Sequence, residues 1–192
     1  MIEHLGPGVA GVDEAGRGPL AGPVLAAAVM LARPIAGLRD SKKLSPSRRA
    51  ELAARIRAEA QAWAISSAST WEIERYNILG ATLAAMDRAL RALPLRPQRI
   101  LVDGNRLLSH WQAEAMVGGD DRVDAIAAAS ILAKEARDRE MRLLDQHYPL
   151  YEFGRHQAYG TAAHLLALRR FGVTSLHRRQ FAPVAALLRK EG

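Results

Sequence analysis

The chain has 192 residues, of which 49% are apolar and 24% charged, and these values fit one domain with a substantial core and exclude a disordered chain. The net charge of +7 indicates a polyanionic partner, although the excess of Arg over Lys is also what GC-rich coding DNA would produce. The absence of cysteine excludes disulfides and thiolate metal sites. Without an export signal or an apolar run of about 20 residues, we expect a cytoplasmic protein outside any membrane.

The predicted elements alternate between short apolar runs and capped amphipathic segments. Strands are expected over residues 9–12, 22–31, 63–68, 100–102 and 115–117. Helices are expected over 45–60, from a capping box at Ser69 to Pro94, over 123–146, and after Thr161 and Pro183. No repeat or linker interrupts this order. The pattern predicts a single α/β domain over residues 1–192, with a mixed sheet flanked by helices and a helical C-terminal part.

Acidic residues follow three of the predicted strands, as Asp13-Glu14, Asp103 and Asp120. In open α/β sheets the functional crevice lies at strand ends, so these carboxylates are expected to converge. Converging carboxylates repel one another and favour a cation between them. Mg²⁺ and Mn²⁺ prefer oxygen ligands, and two such ions about 3.5–4 Å apart can activate water and stabilise both oxygens of a phosphodiester displacement.

Each acid also has a simpler interpretation, since an acid after a strand is more often a turn residue or a helix cap. We assign Asp121 and Asp124 to that role at the start of the long helix, where its dipole favours them. Residue type alone does not separate Asp120 from Asp121.

A dinucleotide-binding loop is a second alternative, because Gly16-x-Gly18-x-x-Ala21 matches its glycine spacing. The following segment predicts a strand rather than the helix whose N-terminus would hold the pyrophosphate. Asp13-Glu14 would also place negative charge beside the phosphates. We therefore disfavour this interpretation.

The segment 11–19, Gly-Val-Asp-Glu-Ala-Gly-Arg-Gly-Pro, resembles the opening signature of the ribonuclease HII family. Further matching blocks follow in family order at 40–45, 77–79, 102–105, 127–134, 137–138 and 177–179. The resemblance implies an RNase H-like fold and a Mg²⁺- or Mn²⁺-dependent endonuclease. Its partners would be RNA–DNA hybrids and duplex DNA carrying ribonucleotides. Cleavage on the 5′ side of the ribonucleotide would leave a 3′-hydroxyl and a 5′-phosphate.

The resemblance also implies roles for individual residues. The catalytic, metal-binding acids would be Asp13, Glu14, Asp103 and Asp120, the last selected by alignment back from the block at 130–134. Recognition of the ribose 2′-hydroxyl would fall on the backbone of the Gly-Arg-Gly segment and on a tyrosine, here Gly16, Arg17, Gly18 and Tyr159. The family commonly has Gly-Tyr-Pro where this chain has Ala158-Tyr159-Gly160, so a less rigid tyrosine segment is expected.

Other polar residues in these blocks are candidates for contact with the nucleic acid backbone. They are Lys42, Lys43, Asn77, Asn105, Ser130 and Lys134. Ser130 and Lys134 share one face of the predicted helix because they are four residues apart. We interpret His156 and His164 as surface or core polar residues rather than as a metal pair, with His156 near the site.

Two alternative functions remain open at this stage. Another RNase H-like nuclease, a junction resolvase or ribonuclease HIII, would share the acidic cluster, although no added domain precedes Asp13 as ribonuclease HIII would require. A non-catalytic basic module would explain the charge but not four acids at one crevice, which weaken phosphate binding without metal. A monomer is the default expectation.

Overall fold

The computed structural model describes residues 2–106 and 108–189. A five-stranded sheet has the order β3-β2-β1-β4-β5. Strands β1, β2 and β3 form an antiparallel meander, whereas β4 and β5 run parallel to β1. The strands are β1 (Val9–Ala15), β2 (Val24–Met30), β3 (Ala62–Ala68), β4 (Arg99–Asp103) and β5 (Ala113–Met116). The predicted mixed sheet is confirmed.

Helices cover both faces of the sheet and form the C-terminal part. They are α1 (Pro46–Glu59), α2 (Thr70–Arg91), α3 (Asp124–His147), α4 (Phe153–His156), α5 (Ala162–Phe171) and α6 (Ala182–Leu188). Helix α2 packs on one face, and α1 and α3 pack on the other. The C-terminal helices enclose a further apolar cluster with Leu20 and Ala21. Among the described residues, no helix is both long and apolar enough to cross a membrane.

A glycine in the central strand allows α3 to lie directly on the sheet. A Cβ atom on Gly11 would lie 2.2 Å from the backbone carbon of Ala125, well inside van der Waals contact. Only glycine permits this approach without displacing the helix. As a result the buried face of α3 passes close to the end of β1, where the first acids lie.

The sequence predicted that the first strand ends at Val12, before the acids. In the structure, β1 continues through Asp13 and Glu14 to Ala15. On one side its pairing with β4 ends at Val12, opposite Val102. On the other side its antiparallel pairing with β2 continues to Ala15. The longer strand β2 therefore holds Asp13 and Glu14 in extended backbone.

Helix α2 was predicted as one continuous helix, and this is wrong at Asn77. Asn77 adopts φ +57°, outside helical geometry. Its side-chain Oδ1 accepts hydrogen bonds from the N–H groups of Leu79 and Gly80 at 2.9 and 3.1 Å. Asparagine tolerates this backbone region and caps helices, so Asn77 ends one helical segment and begins the next.

Candidate active site

Four acidic residues lie near the C-terminal ends of the parallel strands β1 and β4. Asp13 and Asp103 directly follow the paired residues Val12 and Val102 of β1 and β4. A 3₁₀ turn at 119–121 lies beside them, because Asp103 Oδ1 accepts a hydrogen bond of 2.7 Å from the N–H of Gly119. This bond brings Asp120 to the same edge. We call the set Asp13, Glu14, Asp103 and Asp120 the acidic edge.

Burial and mutual repulsion raise the pKa values of Asp13, Glu14 and Asp120. Burial, then the charges of Glu14 and Asp103, raise the pKa of Asp13 well above its ordinary value. Burial, followed by the charge of Asp103, raises the pKa of Asp120 to about 6. Burial also raises the pKa of Glu14, although the nearby guanidinium of Arg17, 3.3 Å from Glu14 Oε1, opposes the increase. The edge therefore concentrates more negative charge than its surroundings neutralise.

The structure separates Asp120 from Asp121. Asp120 is buried at 9% exposure and its pKa responds to Asp103. Asp121 pairs with Lys43 outside the edge, and this hydrogen bond lowers the pKa of Asp121. Asp121 does not cap α3, contrary to our expectation, because it lies in the preceding 3₁₀ turn and Val123 occupies the N-cap position. Asp124 does lie in the first turn of α3, where it pairs with His4 at 2.7 Å.

The acidic edge fits a hard divalent cation by the chemistry of its donors. All four side chains offer carboxylate oxygens, the donors that Mg²⁺ and Mn²⁺ prefer. In residues 2–106 and 108–189, no three acidic or histidine side chains are already arranged around a metal position. Binding would therefore require these side chains to turn towards the ion.

A cleft of about 710 Å³ adjoins the acidic edge. It contains most of the predicted substrate-binding residues, namely Gly16, Arg17, Gly18, Lys42, Ser130, Lys134 and Tyr159. The lining also includes Glu14, Arg49, Ile78, Arg137 and Phe181. Lys43, Asn77 and Asn105 are exposed but do not line the cleft.

The basic candidates differ in how far the protein already neutralises them. Lys134 Nζ donates to Asp138 at 2.6 Å, and the buried Arg49 donates to the same carboxylate at 2.9 Å. Lys42 has no such pair among the described side chains. Burial opposes protonation of Lys42, yet the carboxylates led by Asp40 and Asp13 raise its pKa. Lys42 therefore faces the acidic edge without a salt bridge among the described residues, whereas Arg17 is paired with Glu14.

Ser130 supports the buried end of the cleft. Its hydroxyl donates to Ser41 Oγ at 2.9 Å, and both side chains are buried. Ser130 is also close enough to Asp13 to oppose the rise in the pKa of that carboxyl. The predicted shared face of Ser130 and Lys134 on α3 is confirmed, since both line the cleft.

Tyr159 lies beside the glycine segment 16–18, and Gly16 lies against the buried Arg137. Gly16 adopts φ +97°, and a Cβ atom there would lie 2.0 Å from Arg137 Nε. A Cβ atom on Gly18 would lie 3.4 Å from Tyr159 Cε1. The Tyr159 side chain is 46% exposed and forms one wall of the cleft. A ligand in the cleft can therefore contact both the glycine backbone and the tyrosine ring.

The segment around Tyr159 is tied down despite lacking the proline of the family pattern. Gln157 and Ala158 both have positive φ, 53° and 61°, and make the turn. The Ala158 carbonyl accepts the N–H of Leu20 at 2.8 Å. The Tyr159 carbonyl accepts the N–H of Thr161 at 2.8 Å and lies 3.0 Å from His164 Nδ1. These bonds hold the backbone on both sides of Tyr159; the expected lower rigidity of the segment stays a prediction.

Three histidines lie behind the tyrosine segment, outside the cleft lining. His164 and His177 are fully buried and their Nε2 atoms are 3.1 Å apart, while His156 stacks on His164. His177 Nδ1 accepts the N–H of Thr174, so its Nε2–H donates to His164 Nε2. His164 then donates from Nδ1 to the Tyr159 carbonyl. This chain requires both rings to be neutral, and it makes His164 a core residue.

Two buried arginines near the cleft were overlooked in the sequence. Arg137 and Arg178 are 1% and 0% exposed, and both hydrogen-bond the backbone of residues 16–23. The blocks at 137–138 and 177–179 contained the signal, since these arginines belong to family motifs without an assigned role. Nothing in the local sequence shows that they are buried.

The sequence is similar to known proteins of one family over nearly its whole length. The family described as Ribonuclease HII matches residues 10–184 of the chain. A ribonuclease HII of Thiobacillus denitrificans is 58% identical over 189 residues, covering 96% of this chain and 93% of that protein. A ribonuclease HII of Chromobacterium violaceum is 56% identical over 184 residues, covering 94% and 93%.

Solved structures share the architecture. Ribonuclease H2 from Pyrococcus horikoshii has a TM-score of 0.79 at 25% identity, covering 95% of this chain and 97% of that one. The RNase HII of a complex with PCNA from Archaeoglobus fulgidus has a TM-score of 0.74 at 26% identity, covering 90% and 94%. The expected RNase H-like fold is therefore confirmed.

Proposed function

Because the chain belongs to the ribonuclease HII family, and is thus a nuclease of the RNase H type, we propose its substrates and mechanism as follows. It hydrolyses the RNA strand of RNA–DNA hybrids and cuts duplex DNA on the 5′ side of embedded ribonucleotides. The products carry a 3′-hydroxyl and a 5′-phosphate. One observation carries this proposal: a buried, self-repelling acidic edge adjoins a cleft lined by a glycine-rich backbone and a tyrosine.

The proposal assigns Mg²⁺ or Mn²⁺ to the acidic edge, held by Asp13, Glu14, Asp103 and Asp120. When bound, such ions supply activation of water and offset negative charge on the phosphate. The raised pKa values support this assignment, since a nearby divalent cation would favour ionised carboxylates that now repel one another. Asp103 also keeps the turn at Gly119 in place through its 2.7 Å hydrogen bond.

The cleft residues supply substrate recognition in this proposal. Only the 2′-hydroxyl distinguishes ribose from deoxyribose, so the backbone of residues 16–18 and Tyr159 must contact it. The absence of a Cβ atom on Gly18 permits close approach of the sugar, and the exposed ring of Tyr159 can pack against it.

Backbone phosphates would be held on either side of the cut bond. Lys42 is the best-placed cation, because it faces the acidic edge without a salt bridge among the described residues. Ser130 and Lys134 line the same wall. Lys43, Asn77 and Asn105 lie outside the cleft and would reach only the flanking strand.

The decisive experiment offers the protein duplex DNA with one ribonucleotide, and the same duplex without it, in Mg²⁺, Mn²⁺ or EDTA. We expect incision on the 5′ side of the ribonucleotide, only with a divalent ion, and none of the all-DNA duplex. Metal-independent binding without cleavage would instead favour a binding module. Equal cleavage of all-DNA junctions would favour a resolvase.

A further inference from the structure

The proposed mechanism leaves unused the most deeply buried cation near the cleft. Arg178 has no exposed surface. Its guanidinium donates to the carbonyl oxygens of Gly16, Arg17 and Pro19 at 2.6, 2.8 and 2.8 Å. It also donates to the carbonyl of Gly22 at 2.8 and 3.0 Å. With a longer hydrogen bond of 3.3 Å to the Pro23 carbonyl, one side chain holds five carbonyls of the β1–β2 hairpin that contains the glycine segment.

The inward direction of these carbonyls determines where the amide hydrogens point. A trans peptide is planar, and its C=O and N–H groups point in opposite directions. Because the Gly16 and Arg17 carbonyls face Arg178, the N–H groups of Arg17 and Gly18 face away from it. Across residues 2–106 and 108–189, neither N–H makes a hydrogen bond within the protein. Residues 16–18 line the cleft, and Arg178 lies behind them.

We propose that Arg178 is a positioning residue for substrate selection, which fixes the backbone so that the Arg17 and Gly18 N–H groups are presented to oxygens of the ribose and its phosphate. The inference rests on the proposed function, since it assumes that this backbone reads the substrate. It adds a named side chain that determines the shape and polarity of that backbone.

The electrostatic setting of Arg178 suits this role. In the part of the chain that the structure describes, no carboxylate forms a salt bridge with Arg178. Burial and the charge of Arg137 lower the pKa of Arg178 to about 9, so the guanidinium stays protonated at neutral pH. Its charge is stabilised by peptide carbonyls. Hydrogen bonds in series polarise one another, so the same peptides present stronger N–H donors on the cleft side.

Arg137 connects this hairpin to the tyrosine wall. Its guanidinium donates to the carbonyls of Ala21 and Gln157 at 3.2 and 3.1 Å. Gln157 lies two residues before Tyr159. Hence buried arginines hold both the glycine backbone and the backbone next to Tyr159. If the hairpin loosened, the distance between the glycine backbone and the tyrosine ring would change.

The test compares Arg178→Met and Arg178→Lys with Leu168→Ala. Leu168 is buried in the C-terminal apolar cluster, and its side chain has no hydrogen-bond donor for the hairpin carbonyls. Leu168→Ala therefore controls for the loss of stability alone. Each folded variant is assayed for single-turnover incision at a ribonucleotide. Affinity for ribonucleotide and all-DNA duplexes is measured in EDTA.

For Arg178→Met we expect incision to fall about 100-fold, the scale of an ångström-sized misplacement. Its preference for the ribonucleotide duplex should disappear while all-DNA affinity changes less than about twofold. Arg178→Lys should lose about tenfold, because lysine keeps the charge but cannot bridge the same carbonyls. Leu168→Ala should keep the wild-type preference.

A second readout separates this inference from the proposed function. Amide NMR shifts and hydrogen exchange of Arg17 and Gly18, without substrate, should change in both Arg178 variants and stay unchanged in Leu168→Ala. If the wild type does not cut at ribonucleotides, the proposed function fails while these amides still test the positioning role. Unchanged amides, or Arg178→Lys with full wild-type rate and preference, would overturn the inference even if Arg178→Met does not fold.

Discussion

The acidic edge and the arginine pair behind the hairpin, Arg137 and Arg178, solve the problem of buried charge in opposite ways. The acids of the edge face one another, and burial with repulsion raises the pKa of Asp13. The arginines are more deeply buried, yet each donates to several backbone carbonyls. An internally satisfied charge shapes the protein, whereas an unsatisfied cluster requires something from outside.

This contrast explains why the two clusters should respond differently to substitution. Removing one acid relieves repulsion within the fold but destroys a proposed cation site. Removing one arginine leaves hairpin carbonyls without donors, which costs folding free energy as well as recognition.

Asp103→Asn should reduce incision by at least about 1000-fold, because a metal-binding carboxylate contributes several kcal/mol to phosphodiester cleavage. The asparagine can still accept the Gly119 N–H, so the turn should persist. Thermal unfolding in EDTA should show equal or higher stability, since one repelling charge is gone. Asp121→Asn is the matched control and should stay near wild-type activity, because Asp121 pairs with Lys43 outside the edge. Activity of Asp103→Asn within tenfold of wild type would contradict the assignment.

Acid should destabilise the folded protein through the buried His177 behind Tyr159. Burial and the neighbouring His164 lower the pKa of His177 from 6.5 to about 4. The unfolded chain therefore binds this proton first, and stability falls as pH drops from about 6.5 to about 4, by about 3 kcal/mol. The raised pKa values of Asp13, Glu14 and Asp120 act in the opposite direction, so the measurement is the difference in unfolding free energy between wild type and His177→Asn.

Between about pH 6.5 and pH 4 the wild type should lose about 3 kcal/mol of unfolding free energy relative to His177→Asn. His147→Asn removes an exposed histidine and should give a flat difference. A flat profile for His177→Asn would show that the ring is not held neutral.

Tyr159→Ala should lower incision about 100-fold with little change in affinity for duplex DNA, since the ring orients the sugar rather than holding the phosphates. Tyr159→Phe separates the hydroxyl from the ring. Leu166→Ala, at another exposed apolar residue nearby in sequence, should have no effect. An unchanged rate for Tyr159→Ala would remove the residue from the recognition set.

Lys42→Met should have the smallest effect of these, about tenfold in KM, and should reduce the dependence of log affinity on log salt by about one. Lys43→Met should change both less, because Lys43 is already paired with Asp121. Equal effects at the two positions would show that the salt bridge opens when nucleic acid binds.

Much of the architecture follows from local patterns. The capping box at Ser69 predicted the start of α2, and both of its hydrogen bonds are present. Proline after Ser45 predicted the start of α1 in the same way. The extension of β1 past Asp13 was missed, because it depends on a neighbouring strand that is longer on only one side. Local rules do not describe which neighbour a strand acquires.

Asn77 shows another limit. Apolar spacing continues through it, so periodicity predicts one helix, while the side chain's own capping bonds interrupt the backbone. The same pattern of residues is compatible with both outcomes, and the packing of the two halves selects between them.

The order of residues was sufficient to predict the α/β class and most element boundaries, because strands and helix caps are local features. It also placed four acids near strand ends, whose catalytic role stays a prediction. Contacts between distant residues decided the rest. Asp120 differs from Asp121 because it is buried beside Asp103, whereas Asp121 is exposed and pairs with Lys43. Arg178 acts on Gly16 across more than 160 residues of chain, through a 2.6 Å hydrogen bond that no spacing rule contains. Burial and hydrogen bonding are properties of the packed chain, and they appear only when the chain has folded.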